Sequence, residues 1–357
     1  MVEFAGRIAV TVLCLGFVVL VHEWGHFLVA RRLGVRVERF TIGFGKEIFG
    51  WTRKGTRFAV CILPLGGMVK MAGEFPEERS KKADEFFSQP WYGRALIALA
   101  GPVMNYVLAF VLFAAVALAW GTLKPSTQPV IGDMILGLPA ANAKLQIGDR
   151  IRSIDGIAIT SWEQMAHLIH ERPEKTVRME IERAGAEGKP SRVFRASLKP
   201  QRDPQRSMGL IGVMPQVDKV KLGVWGSIKV SLRDLKAWTV QPLEYIGQKI
   251  RSMEGPKELS GPLGIAHMVT KATQEGMSYV IYLMAIISTG LGLFNLFPIP
   301  VLDGGHIFLY VIEGILRRPL SRRTLQVANA VGLSVILTIF IYASYQDILR
   351  WRLGLMK

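Results

Sequence analysis

The chain is poor in cysteine and in acid. Among its 357 residues there are two cysteines, Cys14 in an apolar run and Cys61 in a β-like segment. Neither a disulfide framework nor a cysteine-built zinc site can be assembled from them, so any metal has to be held by histidine and carboxylate. Histidine is scarce as well, at six residues. Charged residues make up 20% of the chain against 50% apolar, and mean hydropathy is +0.28, a balance that speaks against a disordered or wholly soluble protein. Asp and Glu number 28 against 44 Lys and Arg, which leaves a net charge of +16. Such an excess suits nucleic acid or an anionic lipid surface. No nucleic-acid-binding motif accompanies the basic residues, so the expected partner is the lipid bilayer and not nucleic acid. Internal repeats and low-complexity tracts are lacking too.

Long apolar runs are what the sequence has in quantity. Residues 8–30 hold only His22, Glu23 and His26 as ionisable groups, and residues 95–120 hold none. Both are long enough to cross the hydrocarbon core. Residues 277–302 are apolar but broken by Asn295, Pro298 and Pro300, and residues 325–345 make an uninterrupted fourth span. The first run exceeds a signal-peptide h-region and lacks a small-residue cleavage site, so it reads as a permanent helix. Arg31, Arg32, Arg36 and Arg39 follow the first span, and Arg317, Arg318, Arg322 and Arg323 separate the third from the fourth. Basic clusters in short loops belong on the cytoplasmic side, which puts both termini and residues 121 to about 274 outside.

The expected architecture is a polytopic α-helical membrane protein of four transmembrane helices with one small α/β domain inserted between helices 2 and 3. It divides into residues 1–127 (helices 1 and 2), 128–217 (the inserted domain), 218–276 (an amphipathic helical connector) and 277–357 (helices 3 and 4). In the inserted domain, β-rich runs at 150–154, 157–160 and 177–183 surround an Asp155-Gly156 turn and a helical run at 161–170. Ser161 with Gln164 forms a capping box at that helix start. The connector is interrupted at Gly255-Pro256 and Gly261-Pro262. His167, His170 and His267 read as surface or amphipathic-face residues, since single histidines are more often solvated than ligating.

The sharpest chemical signal is His22-Glu23-Trp24-Gly25-His26. On a helix His22 and His26 lie one turn apart on one face and can share a metal, while Glu23 is placed to act as general base on a water. Ionisable groups inside an apolar span are costly unless paired, ligated or facing water. Two histidines leave a catalytic zinc short of a third protein ligand. Asp303 and His306, in Asn295-Leu296-Phe297-Pro298-Ile299-Pro300-Val301-Leu302-Asp303-Gly304-Gly305-His306, both compete for the place. The first and third spans run in the same direction and bring this segment to the depth of the histidines, and Asp303 is the preferred ligand; the alternative is a cap on a helix beginning near Gly305. Pro298 and Pro300 prevent regular helix from 295 to 302, which lipid tolerates only where the backbone is buried in protein or lines a wet cavity. Asn295 could hold the backbone of a bound peptide or a neighbouring helix.

These features together resemble the site-2 protease family of intramembrane zinc metalloproteases, and most of all its bacterial branch containing the regulator-of-sigma-E protease. The HExxH in the first of four spans, the Asn-x-x-Pro-x-Pro-x-Leu-Asp-Gly-Gly segment in the third and the β-rich insertion carry the resemblance, which covers nearly the whole chain. Pro64-Leu65-Gly66-Gly67-Met68-Val69-Lys70-Met71 is similar to that branch's membrane-associated β-hairpin, and Gly101-Pro102-Val103-Met104-Asn105 to its second-span signature. The resemblance implies that His22, His26 and Asp303 bind Zn2+, that Glu23 is the catalytic base, and that Asn295, with Pro298, Gly66 and Gly67 nearby, holds substrate. Residues 58–62 and 68–71 flank a Gly66-Gly67 turn, and an unpaired edge there would let an unwound substrate helix add as a strand.

The inserted domain resembles a PDZ domain at Leu145-Gln146-Ile147-Gly148-Asp149-Arg150-Ile151 and Ile154-Asp155-Gly156. Met208-Gly209-Leu210-Ile211-Gly212-Val213 is similar to the peptide-carboxylate loop, so Gly209, Ile211 and Gly212 would meet peptide C-termini. Well-known members carry two such domains, and one is found here. The implied function is a zinc metalloendopeptidase of the bacterial inner membrane, with its active site toward the cytoplasm and the PDZ domain on the periplasmic side. Its substrates would be single-span membrane proteins, an anti-sigma factor or signal-peptide remnants among them. Two rivals stand beside it: a membrane-anchored PDZ adaptor without proteolytic activity, and a metal transporter, which would need a through-path and several weak sites.

Overall fold

The structure, a computed structural model, describes residues 2–74, 80, 82–135, 137–185, 190–203, 207–252 and 260–353. In chain order the first part consists of α1 (Val2–Arg32), β1 (Val37–Arg53), β2 (Thr56–Met71) and α2 (Trp91–Trp120). The second comprises β3 (Thr122–Pro125), β4 (Ile131–Met134), α3 (Pro139–Asn142), β5 (Arg150–Ile154), β6 (Ile157–Ala158), α4 (Trp162–His170), β7 (Val177–Arg183), β8 (Arg192–Leu198), β9 (Gln201–Arg202), β10 (Gly209–Leu210), β11 (Val213–Pro215) and β12 (Val217–Val220). The last holds α5 (Val224–Ser252), α6 (Pro262–Glu275), α7 (Met277–Asn295), α8 (Asp303–Leu316) and α9 (Arg322–Arg352). The chain forms two compact units, one of residues 1–120 and 222–357 and the other of residues 121–221.

Among the described residues of the first unit, four helices are long and apolar enough to cross a membrane: Ala9–Arg32 within α1, then α2, α7 and α9. Their interfaces are built on small residues, as expected where lipid leaves packing to hold helices together. A methyl at Gly25 of α1 would strike the Ala100 carbonyl of α2, and one at Gly292 of α7 would sit 3.1 Å from the Pro102 carbonyl and 3.0 Å from the Tyr106 ring. Arg31 and Arg32 end α1, where cations oppose the helix dipole favourably. α6 opens with Gly261 and Pro262, and its first amides at Gly261 and Gly264 donate to the buried Asp347 carboxylate of α9 at 3.1 and 2.8 Å. The Gly255-Pro256 interruption lies outside the described residues.

The hairpin differs from its expected shape. The turn is Lys54-Gly55, both in the left-handed region at φ 48° and 78°, which suits a two-residue connection. Gly66 and Gly67 fall inside β2 instead. β2 doubles round the first half of β1, so that Arg39 pairs with both Arg57 and Lys70, and Phe40 with both Phe58 and Val69. The glycines permit this folding over: Gly66 has φ 98°. The sheet buries Phe40 and Val69 with Phe27 of α1 and Ile97 of α2.

A second departure follows the prolines. α7 stops at Asn295, and a separate helix, α8, which the sequence offered only as an alternative beginning near Gly305, starts at Asp303. Gly304 and Gly305 lie so close to the carbonyls of Leu296 and Ile299 that no side chain would fit at either. Buried Arg94 of α2 donates to Glu313 of α8 at 2.6 Å, and Glu313 also accepts from the Leu320 amide, so both ends of α8 are fixed.

In the second unit, β6-β5-β7-β8 form an antiparallel sheet whose alternating Ile151, Ile154, Val177, Met179 and Ile181 pack on Met165 and Ile169 of α4. Ser161 caps α4 by accepting from the Gln164 amide at 3.2 Å, while the Gln164 side chain accepts from Thr160 rather than closing the box on Ser161. Asp149, fully buried, accepts from Arg183 at 2.7 and 2.8 Å and from the Gln146 amide. The carboxylate beside it raises the Arg183 guanidinium above its ordinary pKa. β3 pairs with β12 from Thr122↔Val220 to Pro125↔Val217 and closes the two ends of the unit together.

Candidate active site

α1 carries His22 and His26 on one face, both buried at 6% and 8% exposure. α2 passes behind them with Gly101, where an added methyl would run into both imidazoles. Pro102 follows and removes one backbone donor at that turn. α8 brings the carboxylate: Asp303 Oδ2 is 3.1 Å from His22 Nε2, and Asp303 Oδ1 is 3.5 Å from His26 Nε2. The two Nε2 atoms are 3.2 Å apart. One ligand atom from each of the three residues falls within 4.8 Å of the others.

This set fits a zinc ion. His26 Nδ1 donates to the Ile97 carbonyl at 2.7 Å, which leaves its Nε2 as a bare lone pair facing the other groups. Asp303 Oδ2 is buried and makes no hydrogen bond despite its 3.1 Å approach to His22, so the contact has an ion-pair distance without hydrogen-bond geometry. A bare imidazole nitrogen and an orphaned carboxylate oxygen directed at one point are an arrangement a cation resolves. Two histidines and one carboxylate are also a recurrent catalytic zinc donor set. Asp303 begins α8 but makes no capping bond; Leu302 occupies the cap position. His306, the competing ligand, is stacked against Tyr310 with ring centres 6.1 Å apart and does not join the cluster.

The cluster lies in a cavity of about 760 Å³ that is also lined by Glu23, Gly67, Val69 and Asn295. A Cβ on Gly67 would stand 3.3 Å from Glu23 Cγ, so the hairpin strand is packed directly on the candidate base. Among the described strands Met68–Met71 pairs only with β1, and Glu74 takes the Met71 amide at 3.1 Å. Of the expected substrate contacts, the structure brings Asn295 and Gly67 to the cavity, with Gly66 adjoining in β2. Pro298 sits exposed in the loop and does not line it. In the second unit, Ile211 is buried in the core and its carbonyl accepts from Ala140, the Gly212 carbonyl accepts from Ile135, and a methyl on Gly209 would strike the Ile169 carbonyl.

Sequence reasoning missed two sets of residues here. Gln326 and Asn329 of α9 line the cavity, and their polarity in an otherwise apolar span was the available signal. Asn105, quoted only as part of a motif, touches His22; one asparagine in a span of 30 residues was a sign as well.

The profile of Peptidase family M50 matches residues 10–339. The chain belongs to peptidase family M50. A protein of Agrobacterium fabrum provisionally named a zinc metalloprotease is 33% identical over 96% of each chain, and a similarly named protein of Rhizobium meliloti is 32% identical over 95% of each. The zinc metalloprotease RasP of Geobacillus kaustophilus is 27% identical over 98% of this chain and 99% of its own. The PDZ domain of an SdrC-like protein from Listeria monocytogenes shares 27% identity over 25% of this chain and 90% of its own, at a TM-score of 0.20 that adds nothing to the assignment. M50 peptidases are the site-2 proteases, and this M50 peptidase is an intramembrane zinc metalloprotease with Zn2+ as its cofactor.

Proposed function

We propose that this M50 peptidase hydrolyses peptide bonds within or beside transmembrane segments of single-span proteins, in the cavity where His22, His26 and Asp303 meet Glu23. The observation that carries the reading is the convergence of those three ligand atoms within 4.8 Å, inside an apolar helical frame, on the cavity that Glu23 lines. His22, His26 and Asp303 would hold the zinc ion, which when bound would supply Lewis acidity toward the scissile carbonyl and water. Glu23 takes the proton of the attacking water and returns it to the leaving amine nitrogen. Asn295 offers donor and acceptor to the substrate backbone, and the Met68–Met71 edge receives an unwound segment as an added strand. Unwinding is required because helical carbonyls are already hydrogen-bonded and shielded.

The proposed setting is a bacterial inner membrane. Arg31 and Arg32 at the end of α1 and Arg322 and Arg323 at the start of α9 support a cytoplasmic reading of those helix ends by the positive-inside rule, and residues 121–221 are read as periplasmic. The periplasmic unit is read as a single PDZ domain that meets peptide C-termini near Gly209, Ile211 and Gly212, and anti-sigma factors or signal-peptide remnants are suitable substrates.

The test is cleavage of a tagged single-span protein by the purified chain in detergent. Wild type cuts inside the span. Glu23→Gln lowers the rate by about 10²- to 10⁴-fold while zinc content is unchanged, and chelation abolishes cleavage. Equal cleavage by all three preparations, with zinc present in the untreated ones, refutes the assignment.

A further inference from the structure

Asn105 is fully buried in α2. Its side-chain nitrogen lies 3.1 Å from His22 Nδ1, and its Oδ1 has no hydrogen-bond partner. Its backbone carbonyl accepts from Ser288 Oγ of α7 at 2.8 Å, and Ser288 is itself fully buried. The backbone of Asn105 is thus bound to a second helix while its side-chain amide faces the metal-ligand candidate on a third.

His22 can present two tautomers to this neighbour. With Nδ2 toward the ring, Nδ1 accepts and the ring proton sits on Nε2, where it faces the His26 Nε2 lone pair at 3.2 Å while Asp303 Oδ2 lies out of hydrogen-bond geometry. With the amide turned half a revolution, an orientation that the positions of its heavy atoms permit equally, Oδ1 accepts a proton from Nδ1 and Nε2 is bare. Only the second leaves a lone pair for a metal. His26 already has this form, enforced by the Ile97 carbonyl. Among the described residues no carbonyl meets the His22 ring, and the Asn105 amide is its counterpart.

We infer that Asn105 is a positioning residue for the zinc site, whose side-chain oxygen fixes His22 as the Nδ1–H tautomer and aims Nε2 at the metal. This rests on His22 and Asp303 being ligands. Outer partners of ligating histidines orient the ring and raise its basicity, and their loss typically weakens metal affinity by about 10- to 100-fold. Leucine at this position has similar bulk and no acceptor. Aspartate accepts only, and so enforces the same tautomer.

The experiment measures zinc affinity of the full chain in detergent by competition with a chromophoric chelator, for wild type, His22→Ala, Asn105→Leu and Asn105→Asp, with the thermal unfolding of each protein recorded after chelation. The expected result is a loss of about 10- to 100-fold for Asn105→Leu and an affinity within about threefold of wild type, or tighter, for Asn105→Asp. Wild-type affinity in a folded Asn105→Leu protein, or equal losses in both variants, overturns the inference. Should Asn105→Leu fail to fold, Asn105→Asp decides: near-wild-type affinity supports the role and a loss beyond tenfold overturns it. A His22→Ala protein that binds zinc as wild type does would instead overturn the ligand reading on which the inference rests.

Discussion

At the scale of single residues, the site depends on atoms that are absent as much as on those present. Gly101 leaves the space that the His22 and His26 rings occupy, and its replacement forces them apart because the obstacle lies on a helix packed closely against theirs. Gly101→Ala is expected to lower zinc content of the purified protein to a small fraction of one ion per chain while the helices remain folded. Metal analysis beside circular dichroism checks this, and full zinc occupancy would show that the rings can yield. Glu23 differs in kind from its neighbours: it lines the cavity but is outside the candidate ligand cluster, which is why its substitution is expected to separate catalysis from metal binding.

At the scale of elements, two pieces bring chemistry to α1. The first is the doubled strand β2, held against Glu23 by Gly67, where a Cβ would also meet the Thr41 carbonyl at 2.8 Å. Gly67→Val should push the strand away from the base and reduce kcat by about 10²-fold, the usual penalty for a displacement near 1 Å, with zinc content unchanged. Steady-state cleavage beside metal analysis tests it. The second is α8, which carries Asp303 and is tied to α2 by the Arg94–Glu313 pair. Arg94→Met leaves a buried carboxylate without its cation and is expected to destabilise the protein by about 3–5 kcal/mol. The added change Glu313→Gln removes that charge and should recover most of the loss in denaturant unfolding. An Arg94→Met protein as stable as wild type would mean that apolar packing alone docks α8.

At the scale of the whole molecule, the chain leaves one compact unit after α2 and returns to it at α5. The excursion is closed on itself, since Thr122 pairs with Val220 and, among the described residues, the core draws only on residues within 121–221. An excised fragment of residues 121–221 should therefore fold alone and unfold in a single cooperative thermal transition. Scanning calorimetry with amide spectra decides, and a disordered fragment would show that its stability is borrowed. The net charge of +16 belongs to this scale too, and suits an anionic lipid surface around the helical unit.

The local pattern of the sequence was enough for much of this. Spans of apolar residues, strands of alternating residues and two histidines one helical turn apart are short-range features, and they appear where length, periodicity and spacing placed them. Asp303 was legible as the preferred ligand over His306 because the first and third spans run in the same direction and bring it, after a proline-broken stretch, to the depth of the histidines. What the tertiary structure adds is the placement: Gly304 and Gly305 seat on the carbonyls of Leu296 and Ile299, Asp303 at the start of α8 stands beside the histidines, and His306 stacks on Tyr310. It also decided the doubling of β2, the docking of α8 on α2 through Arg94 and Glu313, and the meeting of Asn105 with His22. Each of these pairs groups remote in the chain, and their meeting is set by backbone approach distances and buried polar partners that local pattern does not encode.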